Sequence, residues 1–239
     1  MDGEKEISVL SPTYPYERVA DFPKMEPAQE IPLLICRYLM DLPMPGYTPP
    51  DNNRYPRCRL MKRLWYDVDD PLANPNPTPE QKLSMLFDGH HPTLNTDEEQ
   101  AEHPQGYRLY PLQWWMQSQI EAQTSLKVYM GRETPLDDFR VEIGIIFDIY
   151  VNANLETTMG VGGLSKAYAM EKDIIDALHG VNLAGVGVMN YSRHTHGDAG
   201  SQNFYDESGT NVGRRLVMSL TYMAGGGGTV ESWGVNRYE

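Results

Sequence analysis

Residues 139–151 read Phe139-Arg-Val-Glu-Ile-Gly-Ile-Ile-Phe-Asp-Ile-Tyr-Val151, and their alternation decides the fold. Phe139, Val141, Ile143, Ile145, Phe147, Ile149 and Val151 share one face, while Arg140, Glu142, Gly144, Asp148 and Tyr150 fall on the other. Side chains of a strand alternate across the pleat, so a period of two over this length predicts a strand with one face on a core. Upstream, Leu126, Val128 and Met130 form a preceding strand, and Gly131 to Asp138, with Pro135 and the Asp137-Asp138 pair, reads as the turn between the two.

Downstream come Gly160, Gly162 and Gly163, then Leu164, Ala167, Ile174, Ile175 and Leu178 at helical spacing. They predict a helix over 164–179, stopped by Gly180. Val186, Val188 and Asn190 start a further strand, and Val212 to Tyr222 alternates through Leu216, Met218 and Leu220 as a last one. Between these two strands Ser192 to Thr210 reads as a polar loop, of a length that in a compact domain is usually functional or disordered. The expected fold class is α+β: a small, mainly antiparallel sheet with one or two helices packed on it, a long loop-rich insertion, and extended terminal arms.

The rest of the chain supplies those decorations. Pro12, Pro15, Pro23 and Pro27 make residues 1–29 an extended N-terminal arm. A helix is expected over Glu30 to Leu42, with Pro32 in its first turn and Leu34, Ile35, Tyr38 and Leu39 as its stripe. The core domain spans 30–224, interrupted at about 47–105 by the insertion, where Thr78 caps one helix reaching Phe87 and Pro79 starts it. Trp114-Trp115 is an aromatic anchor, and residues 225–239 are a Gly-rich tail carrying Trp233.

A net charge of −13 argues against general nucleic-acid binding, which rests on Lys and Arg neutralising phosphates. The two cysteines, Cys36 and Cys58, are no disulfide framework and read as reduced thiols. No basic start leads into an apolar stretch, and no run approaches the roughly 20 apolar residues of a membrane span. The expectation is a soluble product made in the cytoplasm, away from membranes.

Catalytic signals are weak. His194 and His196, with Asp198, alternate on an extended segment and can place two imidazoles on one side of a cation, with His90, His91 and His103 as further donors; the plainer reading, and the favoured one, is a solvated polar loop. Gly160 to Lys166 leads from strand to helix but lacks the order of the nucleotide-binding loop, which leaves Lys166 as a solvated side chain. Cys36 lies on an apolar stripe, where a thiol is usually inert. The strongest constellation is electrostatic. Arg54, Arg57, Arg59, Lys62 and Arg63 form a basic strand candidate, followed by an acidic block that opens with Asp67, Asp69 and Asp70. The positive strip of one copy can face the negative strip of the next, favouring a head-to-tail ring, or the two can match within one chain or simply be solvated faces.

Thr124-Ser-Leu-Lys-Val-Tyr-Met-Gly-Arg132, Pro135, the strand Val141 to Val151, the helix ending Ile174-Ile-Asp-Ala-Leu-His-Gly180, Gly185-Val-Gly187 and the final strand resemble the tail-terminator and neck proteins of long-tailed bacteriophages. The resemblance covers roughly 126–223 and departs in size, since the proline-rich start and the insertion are extra. It implies a structural virion protein with no catalytic residue and no cofactor. Such a protein forms a ring, commonly of six copies, that ends the tail tube and joins it to the neck or connector, with genomic DNA passing through the lumen. Candidate assembly contacts are the basic and acidic strips, the 192–210 loop with His194, His196, Asp198, Phe204 and Tyr205, and Trp233. Two rivals remain: a metal-dependent hydrolase using the His194/His196 loop, and a ligand-binding module in which Trp114, Trp115 and tyrosines form a stacking surface.

Overall fold

The computed structural model describes residues 30–87, 102, 106–112, 123–136, 140–156, 165–183, 187–191, 200–205 and 211–223. The terminal arm over 1–29 and the tail over 225–239 lie outside them, as do Trp114 and Trp115. The described residues form an α+β fold with one seven-stranded sheet. The strands are β1 (Leu109–Tyr110), β2 (Ser125–Pro135), β3 (Arg140–Asn152), β4 (Asn182–Leu183), β5 (Gly187–Asn190), β6 (Gly200–Tyr205) and β7 (Asn211–Met223). Their order is β1-β2-β3-β7-β5-β4, with β6 also paired to β7. The sheet is larger than expected and mixed, because β1 runs parallel to β2 while the other pairs are antiparallel.

The alternating stretch is the centre of this sheet. β3 pairs along its whole length with β7, from Arg140↔Met223 to Asn152↔Asn211, and its other edge carries β2. Ile143, Ile145, Phe147, Ile149 and Val151 are buried, and Leu126, Val128, Leu216, Met218 and Leu220 from the flanking strands join them. Each such side chain contributes roughly 1.5–3 kcal/mol of gross burial free energy, so this one face sets the register of three strands.

Two expectations about strands need correction. Gly131 to Asp138 is not all turn: β2 continues to Pro135 through a bulge, where Gly131 and Arg132 together oppose Gly144. Gly131 fits because a Cβ there would press on Ile146. The 192–210 segment is not all loop either, since Gly200 to Tyr205 forms β6. The outer edge of β7 is shared, with Val212 to Val217 bonded to β6 and Ser219 and Leu220 bonded to β5.

Helices cover the apolar face of the sheet. α1 (Ile31–Met40) packs on β2 and stops at Asp41, whose left-handed φ of 51° ends the helical hydrogen-bonding pattern. α2 (Pro56–Trp65) replaces the expected basic strand. Leu60, Met61, Leu64 and Trp65 fall on one helical stripe and are buried, and Pro56 occupies the first turn, where its missing N–H costs nothing. The basic residues therefore flank an apolar helix face instead of lining a strand.

A 3-10 turn (Pro71–Ala73) and α3 (Pro79–Ser84) follow. Thr78 and Gln81 form a reciprocal capping box on α3 as the Thr78-Pro79 sequence suggests, although the helix ends before Phe87. Leu86 then bridges to Leu109, closing the outer edge of β1. After β3, one turn of helix, α4 (Ala153–Glu156), leads on to α5 (Lys166–Leu178). Ser165 caps α5, accepting a hydrogen bond from the Tyr168 amide, and Gly180 (φ +76°) follows its end. α5 lies against β3, β7 and α2.

Candidate functional site

The charged residues singled out from the sequence are drawn together by α2, which lies between α1 and α5. Successive helical turns aim Arg59 and Arg63 at one carboxylate of α5. Asp173 accepts from Arg59 Nε at 2.6 Å and from Arg63 Nε at 3.0 Å, while Asp176 takes a second Arg59 nitrogen at 3.3 Å. Burial pushes the Asp173 carboxyl upward, and Arg63 and Arg59 oppose that push. Arg57 pairs with Asp41 at 3.0 Å and stacks its guanidinium 4.6 Å from the Tyr38 ring centre. Lys62 pairs with Asp51 at 3.1 Å and donates to Asn53 at 3.0 Å. Arg54 is exposed, and its carbonyl accepts from Arg59.

The acidic strip divides. Asp67 is a hub: it accepts from Arg108 at 2.5 Å, from the Thr124 hydroxyl at 2.8 Å and from Lys166 Nζ at 3.1 Å, tying the end of α2 to β1, β2 and the start of α5. Lys166 is only 4% exposed, so the expectation of a solvated lysine is corrected. Burial lowers its pKa against the pull of Asp67. Asp69 is exposed, and Asp70 caps the 3-10 turn through the Leu72 amide. The two strips thus take partners within the chain but not from each other: Arg57 pairs with Asp41, Lys62 with Asp51 and Arg59 and Arg63 with Asp173, while Asp67 pairs with Arg108 and Lys166.

A second polar centre lies on the other face of the sheet, where the sequence shows only the polar side of β3. Asp148 is 2% exposed and accepts two bonds from Arg215, at 2.7 and 2.8 Å, and one from the Tyr129 hydroxyl at 2.7 Å. The bidentate bond raises the Arg215 pKa, and burial raises that of Tyr129. Around them Lys127 Nζ stands 4.1 Å over the Tyr150 ring, and Tyr150 meets Phe204 edge to face at 4.9 Å. Phe204, named as an assembly contact, therefore packs on this layer. Asp148 and Arg215 sit directly opposite each other across β3 and β7, a pairing that shows in the sequence only once the register is known.

At the sheet edge Arg214 points the other way. It pairs with Glu171 of α5, donates to Asn203 at 2.6 Å and to Ser201 at 2.8 Å, and lies over the Tyr168 ring. His194, His196, Asp198 and Trp233 lie outside the described residues, as do His90, His91, His103 and Gly160 to Leu164. The Tyr205 backbone pairs with Val212. Among the described residues no group of three His, Cys, Asp or Glu side chains is placed to hold a metal. Cys36 and Cys58 are buried and unpaired, and burial pushes both thiols up, away from the reactive thiolate.

Comparison with known proteins adds one match. A family model described as YomW covers residues 58–220, more than half of the chain, from α2 to near the end of β7. No curated protein matches the chain.

Proposed function

Since the chain belongs to the YomW family, whose name is of the Bacillus prophage type, we propose that it is a structural virion protein of the head–tail interface. It forms a ring, of six copies, that ends the tail tube and joins it to the neck or connector, and DNA passes through its lumen without sequence-specific binding. The protein acts without a cofactor. The observation that carries this reading is the use made of the charged side chains. Asp67, Asp148 and Asp173, together with the cations on them, bind strands and helices to one another. Buried ion pairs with several partners favour one rigid arrangement, which suits a subunit whose task is shape. The net charge of −13 would keep passing phosphates from adhering.

Negative-stain micrographs and mass photometry of the purified full chain test the proposal, alone and with tail tubes. Rings with a central opening, or density added at tube ends, are expected. A monomer carrying one equivalent of zinc by elemental analysis would overturn it in favour of a metal-dependent hydrolase using His194 and His196.

A further inference from the structure

The edge strand β6 is ordered by contacts that bury little of it. Ser201, Gln202 and Asn203 are exposed, although they come from both of its faces, so β6 adds almost nothing to the core. Yet its position is fixed side chain by side chain. Arg214 holds Ser201 and Asn203 on one face, and on the other the Phe204 ring lies over Gly213 and against Tyr150. Among the described residues no strand lies beyond it, so the backbone N–H and C=O groups of alternate residues along its six-residue length face outward.

Proteins normally blunt such an edge with a charge, a proline, a bulge or a cover. The other edges follow that rule, since Leu86 bridges β1 on the far side of the sheet and β4 is only two residues long. β6, Gly200-Ser-Gln-Asn-Phe-Tyr205, has no charge, no proline and no register shift against β7. The other long strands, β2, β3 and β7, all carry charged residues. In a chain of net charge −13, a second copy meets least repulsion along this neutral segment.

We infer that β6 is a self-pairing edge: it takes the β6 strand of a second copy in antiparallel register, continuing the sheet across two molecules. Antiparallel pairing of one edge with itself is two-fold, so it sets identical residues about the axis; β6 carries no charge to repel its own copy, and the pairing uses up both open edges. This contact closes at two copies instead of propagating into a fibre. The inference goes beyond the ring reading and does not depend on it, because ring contacts through other faces would leave it intact.

The test is a charge swap at Gln202, exposed on β6. Gln202→Lys and Gln202→Glu each place two like charges beside the two-fold axis, and a one-to-one mixture places opposite charges there. Sedimentation equilibrium of the full chain should show each variant alone associating about fivefold to tenfold more weakly than the parent, with the mixture recovering the parent's affinity. A purely structural role for Gln202 would give no recovery on mixing. The inference is overturned by a mixture no better associated than its components, or by a parent chain with no edge-dependent association at concentrations up to about 1 mM.

Discussion

The ring of Phe204 lies over Gly213, its cross-strand partner on β7, so closely that a Cβ at that glycine would overlap the ring atoms. A glycine in a strand interior normally weakens it, and here the missing side chain is the space the ring fills. Gly213→Ala should therefore displace the ring from Tyr150 and lower stability by roughly 1–3 kcal/mol. Urea unfolding is the measurement, and the double mutant is the control. In a Phe204→Ala background the same substitution should cost little, and equal costs in both backgrounds would contradict the packing account.

Asp173 and Asp176 both pair with Arg59 but should differ sharply on removal. Asp173 is buried and serves two arginines, so Asp173→Ala should cost roughly 3 kcal/mol at neutral pH. The side chain of Asp176 is 42% exposed, and its loss should cost less than about 1 kcal/mol. Comparing the two variants in denaturant at low and high salt checks this, because added salt should weaken only the Asp176 contribution.

Lys82 should leave an alkaline signature. It is buried, donates to the Asp41 carbonyl at 3.3 Å, and burial lowers its pKa against the pull of Asp41. The folded chain releases this proton at a lower pH than the unfolded chain, so between those two values the unfolded state binds more protons. Stability linked to Lys82 is fully present above the ordinary lysine value of about 10.4 and is lost as pH falls through the depressed one. Relative to Lys82→Met, the parent should gain stability as pH climbs from neutral toward 10. A difference that stays flat across that range would count against it.

The thiols offer the simplest check. Cys36 and Cys58 are buried with raised pKa values, so a colorimetric thiol reagent should titrate neither in the folded chain and both in guanidinium. Rapid reaction of either thiol under native conditions would contradict the burial described.

The sequence and the structure agree where burial imposes a period. Alternation in β3 and β7, the stripes of α1 and α5, and the Thr78 cap are all readable because each residue's environment repeats with its element. β6 is not readable, since Ser201, Gln202 and Asn203 are exposed on both of its faces and so carry no pattern. α2 is hidden in the sequence because its basic residues are more conspicuous than the Leu60, Met61 and Leu64 stripe that defines it. The polar hubs fall between these cases. Asp67 was visible as an acid but not as the partner of Arg108 and Lys166, because those contacts join segments 41 and 99 positions apart.

The placement of β7 bears on how the molecule is made. It is the last of the described strands in the chain, yet it sits inside the sheet, with β3 along one edge and β5 and β6 sharing the other. On a ribosome β3 emerges well ahead of it, since Asp148 and Arg215 are 67 residues apart. Until β7 arrives, the most apolar strand of the protein has a bare edge, and its pairing carries the loop-closure cost of a long-range contact. Folding of the sheet therefore waits on the final segment, and a chain stopped before residue 211 presents its own centre to other chains as a template for aggregation.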